Sequence, residues 1–114
     1  MKTWIVALLC VVGGSALIAQ GAIAYESVTV ADTAIGISSS VYTVSGKNAS
    51  QCIASTETAP IRFRYDGVDP TASEGILVQP GSFLTITGFP NIKAFRAIRT
   101  GATSATLKVT CHAF

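Results

Sequence analysis

The chain is poor in most of what chemistry is built from. Only 12% of its 114 residues are charged, and it has one histidine, one tryptophan and one methionine. That histidine, His112, is third from the end, where a frayed terminus holds a side chain loosely. A single imidazole without a fixed partner assembles neither a catalytic triad nor a zinc site, since both need several positioned groups. No nucleophile and base can be paired, so the reading is non-enzymatic, with no metal and no cofactor. Charge of one sign is also missing. Lys and Arg number eight against six Asp and Glu, and setting Lys2 aside leaves seven against six. A balance that close to neutral provides no long-range field for a phosphate backbone, which argues against nucleic-acid binding.

From Thr3 to Tyr25 no side chain is charged at all. "MKTWIVALLCVVGGSALIAQGAIA" has a basic start at Lys2, an apolar stretch from Trp4 to Val12, a Gly13-Gly14 break and Ala22-Ile23-Ala24 as a small-x-small site. This is the layout of a secretory signal peptide cleaved before Tyr25. About 20 uncharged residues also suffice to span a bilayer, so an uncleaved apolar helix over residues 4–24 is the rival reading. A later start or an apolar assembly arm is a third. Cys10 follows Leu8-Leu9 rather than the small residue a lipoprotein site needs. The chain therefore divides into a leader or apolar helix, 1–24, and a domain, 25–114, long enough for one modest core.

Removing the leader leaves two cysteines, Cys52 and Cys111. An even pair in an exported chain suggests a disulfide, and the loop it closes would make it worth roughly 4 kcal/mol on the chain-entropy model. The alternative is two buried thiols packed as small apolar groups.

After Tyr25 the chain turns to Thr, Ser, Val and Ile, punctuated by Gly, Pro, Asn and Asp. "ESVTVADTA" alternates, "ISSSVYTV" reads as a strand closed by the turn "SGKN", and strands are expected over 51–58, 61–65, 76–78 and 83–87. "AFRAIRTGATSATLKVTC" reads as a closing strand, turn and strand, and one helical turn is expected near Asn91 to Ala94 with Asn91 as its cap. Short β-branched runs at this spacing predict an all-β domain, a small antiparallel β-sandwich of jelly-roll or Ig-like kind.

Few residues remain as candidates. Asp66, Asp69 and Glu74 in "YDGVDPTASEG" lack the spacing of a calcium loop and suit a turn better. Asn48-Ala49-Ser50 matches a glycosylation sequon but is a weak three-residue signal in a surface turn. The arginines are left. Alternation in "IRFRYDG" puts Ile61, Phe63 and Tyr65 on a core face and Arg62 and Arg64 outward. In "FRAIRT" Arg99 shares a face with Phe95 and Ala97, while Arg96 lies with Ile98. An arginine among apolar neighbours calls for a carboxylate partner or a subunit interface. One reading pairs Arg62, Arg64, Arg96 and Arg99 with Glu57, Asp66, Asp69 and Glu74 as a solvated network. The other makes the arginines contacts to a neighbouring protein.

The runs "TAPIRFRYDGVDPTASEGILVQPGSFLTITG" and "NIKAFRAIRTGATSATLKVTC" resemble small β-sandwich proteins encoded among the structural genes of tailed bacteriophages and prophages. Shared features are an arginine-flanked aromatic strand, a "DGxxPT" turn and a terminal "FRxIRxGATxxxLxVT" hairpin, over most of Val28 to Thr110. The resemblance implies a non-enzymatic virion component, a capsid decoration or tail accessory protein. Its partners would be other virion proteins and copies of itself in a homo-oligomer. Two features depart from that picture. Tailed phages assemble in the cytoplasm, where neither a leader nor a disulfide is expected. A secreted, periplasmic or membrane-tethered binding module of the same fold is the alternative.

Overall fold

A computed structural model describes residues 21–113 of the chain. The leader expectation for residues 1–20 lies outside them. The described chain is mostly β, with antiparallel sheets and two short helices. Its elements are β1 (Gly21–Val30), α1 (Ser39–Tyr42), β2 (Thr43–Val44), β3 (Lys47–Asn48), β4 (Gln51–Glu57), β5 (Ile61–Arg64), β6 (Ile76–Val78), β7 (Phe83–Thr87), α2 (Phe89–Ala94), β8 (Arg96–Arg99) and β9 (Ala105–Ala113).

A four-stranded sheet runs β1-β9-β4-β7, a three-stranded one runs β6-β5-β8, and β2-β3 is a two-stranded ribbon. Period-two patterning decides which side of each strand is buried. In β9, Ala105, Leu107, Val109, Cys111 and Ala113 are buried while Thr106, Lys108, Thr110 and His112 face the other way. In β4 the buried set is Cys52, Ala54 and Thr56. The smaller sheet contributes Ile61, Phe63, Val78 and Ala97. Both inner faces belong to one cluster of buried side chains, together with Ile37, Val41, Ile92 and Phe95. Phe95 and Phe63 meet with ring centroids 5.4 Å apart.

Register brings Cys52 directly opposite Cys111 on β4 and β9, and the two form a disulfide with both residues fully buried. The thiol alternative is thereby set aside. Thr56 is the buried polar residue of this face, and its hydroxyl has no partner among the described residues.

Three expectations are corrected. "ISSSVYTV" is not one strand: Ser39–Tyr42 forms the helical turn α1, and extended pairing begins only at Thr43. The apolar residues of that run are too few to line a sheet face, and Val41 is instead buried in the core cluster on a helical turn. The second helix begins at Phe89, with Pro90 in its first turn and Gly88 as its cap, so Asn91 lies inside it. Proline suits a first helical turn because its missing N–H would have no partner there. The run 94–111 is not a hairpin. β8 pairs with β5 in the smaller sheet and β9 with β1 and β4 in the larger one, so the "TGATS" segment crosses between sheets. The backbone N–H of Arg99 donates to Ala31 O, at 3.0 Å, beside that crossing.

Candidate functional site

The smaller sheet places the arginines. β5 and β8 are antiparallel with Arg62 opposite Ile98 and Arg64 opposite Arg96, and β6 sets Leu77 opposite Arg62 on the other side. Residues directly opposite share a face, so Arg62, Arg64, Arg96, Leu77 and Ile98 lie together on the outward side. Arg99 falls opposite Ile61 on the inward side, as alternation requires, but at the strand's end, where it is only half-buried.

Two guanidinium groups facing each other repel, and each is turned to a different acceptor. Arg64 reaches Asp66 with both prongs of its fork, Nε at 3.0 Å and Nη2 at 2.5 Å. That bond holds the Asp66 carboxyl below the usual carboxylate range and raises Arg64 above its ordinary value. Arg96 Nη1 donates to Phe95 O at 2.8 Å and to Lys93 O at 3.4 Å. A β-carbon at Gly36 would collide with that same nitrogen and lie 2.7 Å from Phe95 O, so only glycine lets the chain pass there. Arg62 ties down the long loop before β6: Nε donates to Ala72 O at 3.1 Å and Nη1 to Gly75 O at 2.9 Å.

The loop itself is closed by Thr71, whose hydroxyl accepts from Glu74 N at 3.0 Å. Gly75 takes a φ of 132°, and a β-carbon there would meet Phe63 O at 3.1 Å and Arg62 Cβ and Pro70 Cβ at 3.2 Å. An open depression of about 370 Å³ follows, lined by Phe63, Arg64, Tyr65, Asp66, Glu74, Gly75 and Ile76. Tyr65 was expected on the core face; it lies just past the strand and is exposed.

Among the described residues the one ion pair is Arg64–Asp66. Asp69, Glu74 and Glu57 form none, and Arg99 donates instead to Ser104 Oγ at 3.1 Å. No group of three or more His, Cys, Asp or Glu side chains is arranged to hold a metal among these residues. Ala22 and Ala24, of the expected cleavage site, lie in β1 opposite His112 and Cys111, around a bulge. Asn48 is exposed, and its side-chain oxygen accepts from Thr43 Oγ1 at 3.0 Å.

A second surface escaped the sequence reading. On the outward face of the larger sheet, Tyr25, Ile53 and Phe83 are 59%, 40% and 76% exposed. With Ser55, Lys108, Thr110 and His112 they line a shallow depression of about 370 Å³. The signal was available: once Cys52 points inward, alternation sends Ile53 outward. Compared with protein-family models, with curated proteins and with solved structures, the chain matches none.

Proposed function

We propose that the two sheets form the β-sandwich of a non-enzymatic structural protein of a phage virion, a capsid decoration or tail accessory that assembles through protein–protein contacts. The observation that carries this reading is the outward face of the smaller sheet. Three arginines lie there beside Leu77 and Ile98, and among the described residues only Arg64 has a carboxylate partner, Asp66. Arginine on an apolar background is the composition of a protein interface, because the guanidinium fork takes carboxylates and its plane covers apolar surface. The resemblance of the "IRFRYDG" and "FRAIRTGAT" runs to tailed-phage structural proteins supplies the virion setting.

A second reading is favoured by one observation, the buried Cys52–Cys111 disulfide. Disulfides persist in oxidising compartments, which suits a secreted or membrane-tethered binding module of the same architecture. Peptide mass spectrometry without reduction, on purified particles and on culture supernatant, separates the two. Copies in particles at an abundance near the major coat protein support the virion role. A peptide starting at Tyr25 in the supernatant, with none in particles, replaces it with the exported module.

A further inference from the structure

The two larger sheets have four edge strands among the described residues, and three of these are short or covered. β8 is bridged on its outer side by Ile35, with Ile35 N to Ala97 O at 2.9 Å and Ala97 N to Ile35 O at 2.8 Å. β6 is three residues long. β7 has five residues, and at its end Thr87 O accepts from Asn91 Nδ2 at 2.9 Å. The exception is β1, ten residues long and paired with β9 alone.

The hydrogen-bond phase shows which of its backbone groups are open. Thr56 N donates to Ser82 O and Thr56 O accepts from Gly81 N, so the Thr56 backbone is turned to β7 and away from β9. Its opposite number on β9, Leu107, is then turned to Val28 on β1. Backbone direction alternates along a strand. The N–H and C=O groups of Tyr25, Ser27 and Thr29 therefore point to the free edge, and among the described residues nothing pairs with them. Natural edges are protected by lysine, proline or an inward charge. From Tyr25 to Thr29 there is no lysine or proline, and the one charge on the inward face is Glu26, opposite Val109. The one acid, Glu26, is occupied: its two carboxylate oxygens accept from Ser38 N and Ser38 Oγ, each at 2.8 Å. The bulge at Ala22/Ala24 ends the regular stretch on one side, and departure of the chain at Ala31 towards Arg99 ends it on the other.

We propose that this edge is a pairing site for β1 of a second copy of the chain, antiparallel about a two-fold axis at Ser27. Centred there, Ser27 faces Ser27 of the second copy and Tyr25 faces Thr29 on both sides of the axis. All are hydrogen-bonding positions, and all three side chains lie on the outward face of the sheet. The small serine at the axis admits close approach, and the flanks form aromatic and β-branched cross-strand pairs, which are favourable. No charge meets its own copy, the usual obstacle to symmetric strand pairing. The two four-stranded sheets become continuous, and the exposed Tyr25, Ile53 and Phe83 of each copy come to share one face. All the pairing residues lie on the C-terminal side of the expected cleavage point, so either N-terminal form carries them. The inference goes beyond the assembly role proposed above and does not depend on the arginine-lined face.

Sedimentation velocity of the full chain, purified in whichever N-terminal form it carries, tests it across a concentration series up to the solubility limit. The parent should be dimeric. Ser27→Pro removes an N–H that faces the edge and leaves every bond to β9 in place, and Ser27→Lys sets two ammonium groups against each other at the axis. Each variant should sediment as a monomer with the parent's circular dichroism. Lysine in place of an exposed serine serves if the proline variant fails to fold. An equimolar mixture of Ser27→Lys and Ser27→Glu should restore the dimer. A monomeric parent, or a dimer that survives in either folded variant, overturns the proposal. So does a dimer lost on Phe83→Ser but kept in Ser27→Pro, which would place the contact on β7. None of these outcomes bears on whether the chain resides in a virion.

Discussion

The two larger sheets are held by different means. In β1-β9-β4-β7 the long strands β9 and β4 bury alternate residues along their whole length, and a disulfide joins them at the centre of the sheet. In β6-β5-β8 the strands are three or four residues long, and much of the order comes from arginines bonded to loop carbonyls and to Asp66. The larger sheet keeps its shape by burial and a covalent bond, neither of which rests on a titrating or salt-screened ion pair. The smaller depends on directional contacts at the surface. The polar sheet is thus the more sensitive to single substitutions outside the core, and it carries the candidate interface.

The strongest way to break this division is to remove what the sheets share. Phe95 is 1% exposed and packs against Phe63, so Phe95→Ala should cost about 3–5 kcal/mol in denaturant unfolding. A cost below about 1 kcal/mol would mean that the sheets are stabilised separately. Next comes the disulfide. Replacing Cys52 and Cys111 together by alanine opens a loop of 59 residues and should lower stability by about 2–4 kcal/mol. Hydrogen exchange should rise across β4 and β9 first.

Gly75→Ala sharpens the comparison from the other side. Its φ of 132° and the close Phe63 carbonyl make any β-carbon strained, and a loss of about 1–3 kcal/mol is expected. Limited proteolysis should then cut within residues 66–75 while the larger sheet stays protected. The smallest effect belongs to the exposed pair Arg64–Asp66. The Asp66 carboxyl is held low by the guanidinium, so its contribution is present above the ordinary carboxylate range and is lost as pH falls through the depressed value. Asp66→Asn should remove that part of the acid dependence, and salt should mask it because both groups face water. An acid titration of the Asp66 resonance following an unperturbed carboxyl would contradict the pairing.

Much of the fold was legible because strand alternation is a local signal. The strands over 76–78 and 83–87 were read from short β-branched and aromatic runs between turn residues, and the inward Ile61 and Phe63 and outward Arg62 and Arg64 from parity. Legibility failed where the deciding partner is distant in sequence. "ISSSVYTV" has β-forming residues but folds in part as a helical turn, because Val41 packs into the shared core and Glu26, twelve residues before Ser38, binds that residue at the start of the turn. Parity set Arg99 apart from the outward arginines but named no acceptor for any of them, and each found a different one: a carboxylate, loop carbonyls, a neighbouring carbonyl and a hydroxyl.

By itself the sequence determined that this is a β domain of near-neutral charge, since period-two patterning and composition act residue by residue. In β5 it also determined which side is apolar, at Ile61 and Phe63. Tertiary structure alone decided that β8 and β9 part into different sheets, that Cys52 and Cys111, a pair the cysteine count already suggested, lie opposite each other on β4 and β9, and that among the described residues β1 ends with an open edge. Each of these is a matter of which strand lies beside which. The free energy of pairing is gained between segments far apart in the chain, and a local pattern carries no record of its neighbour.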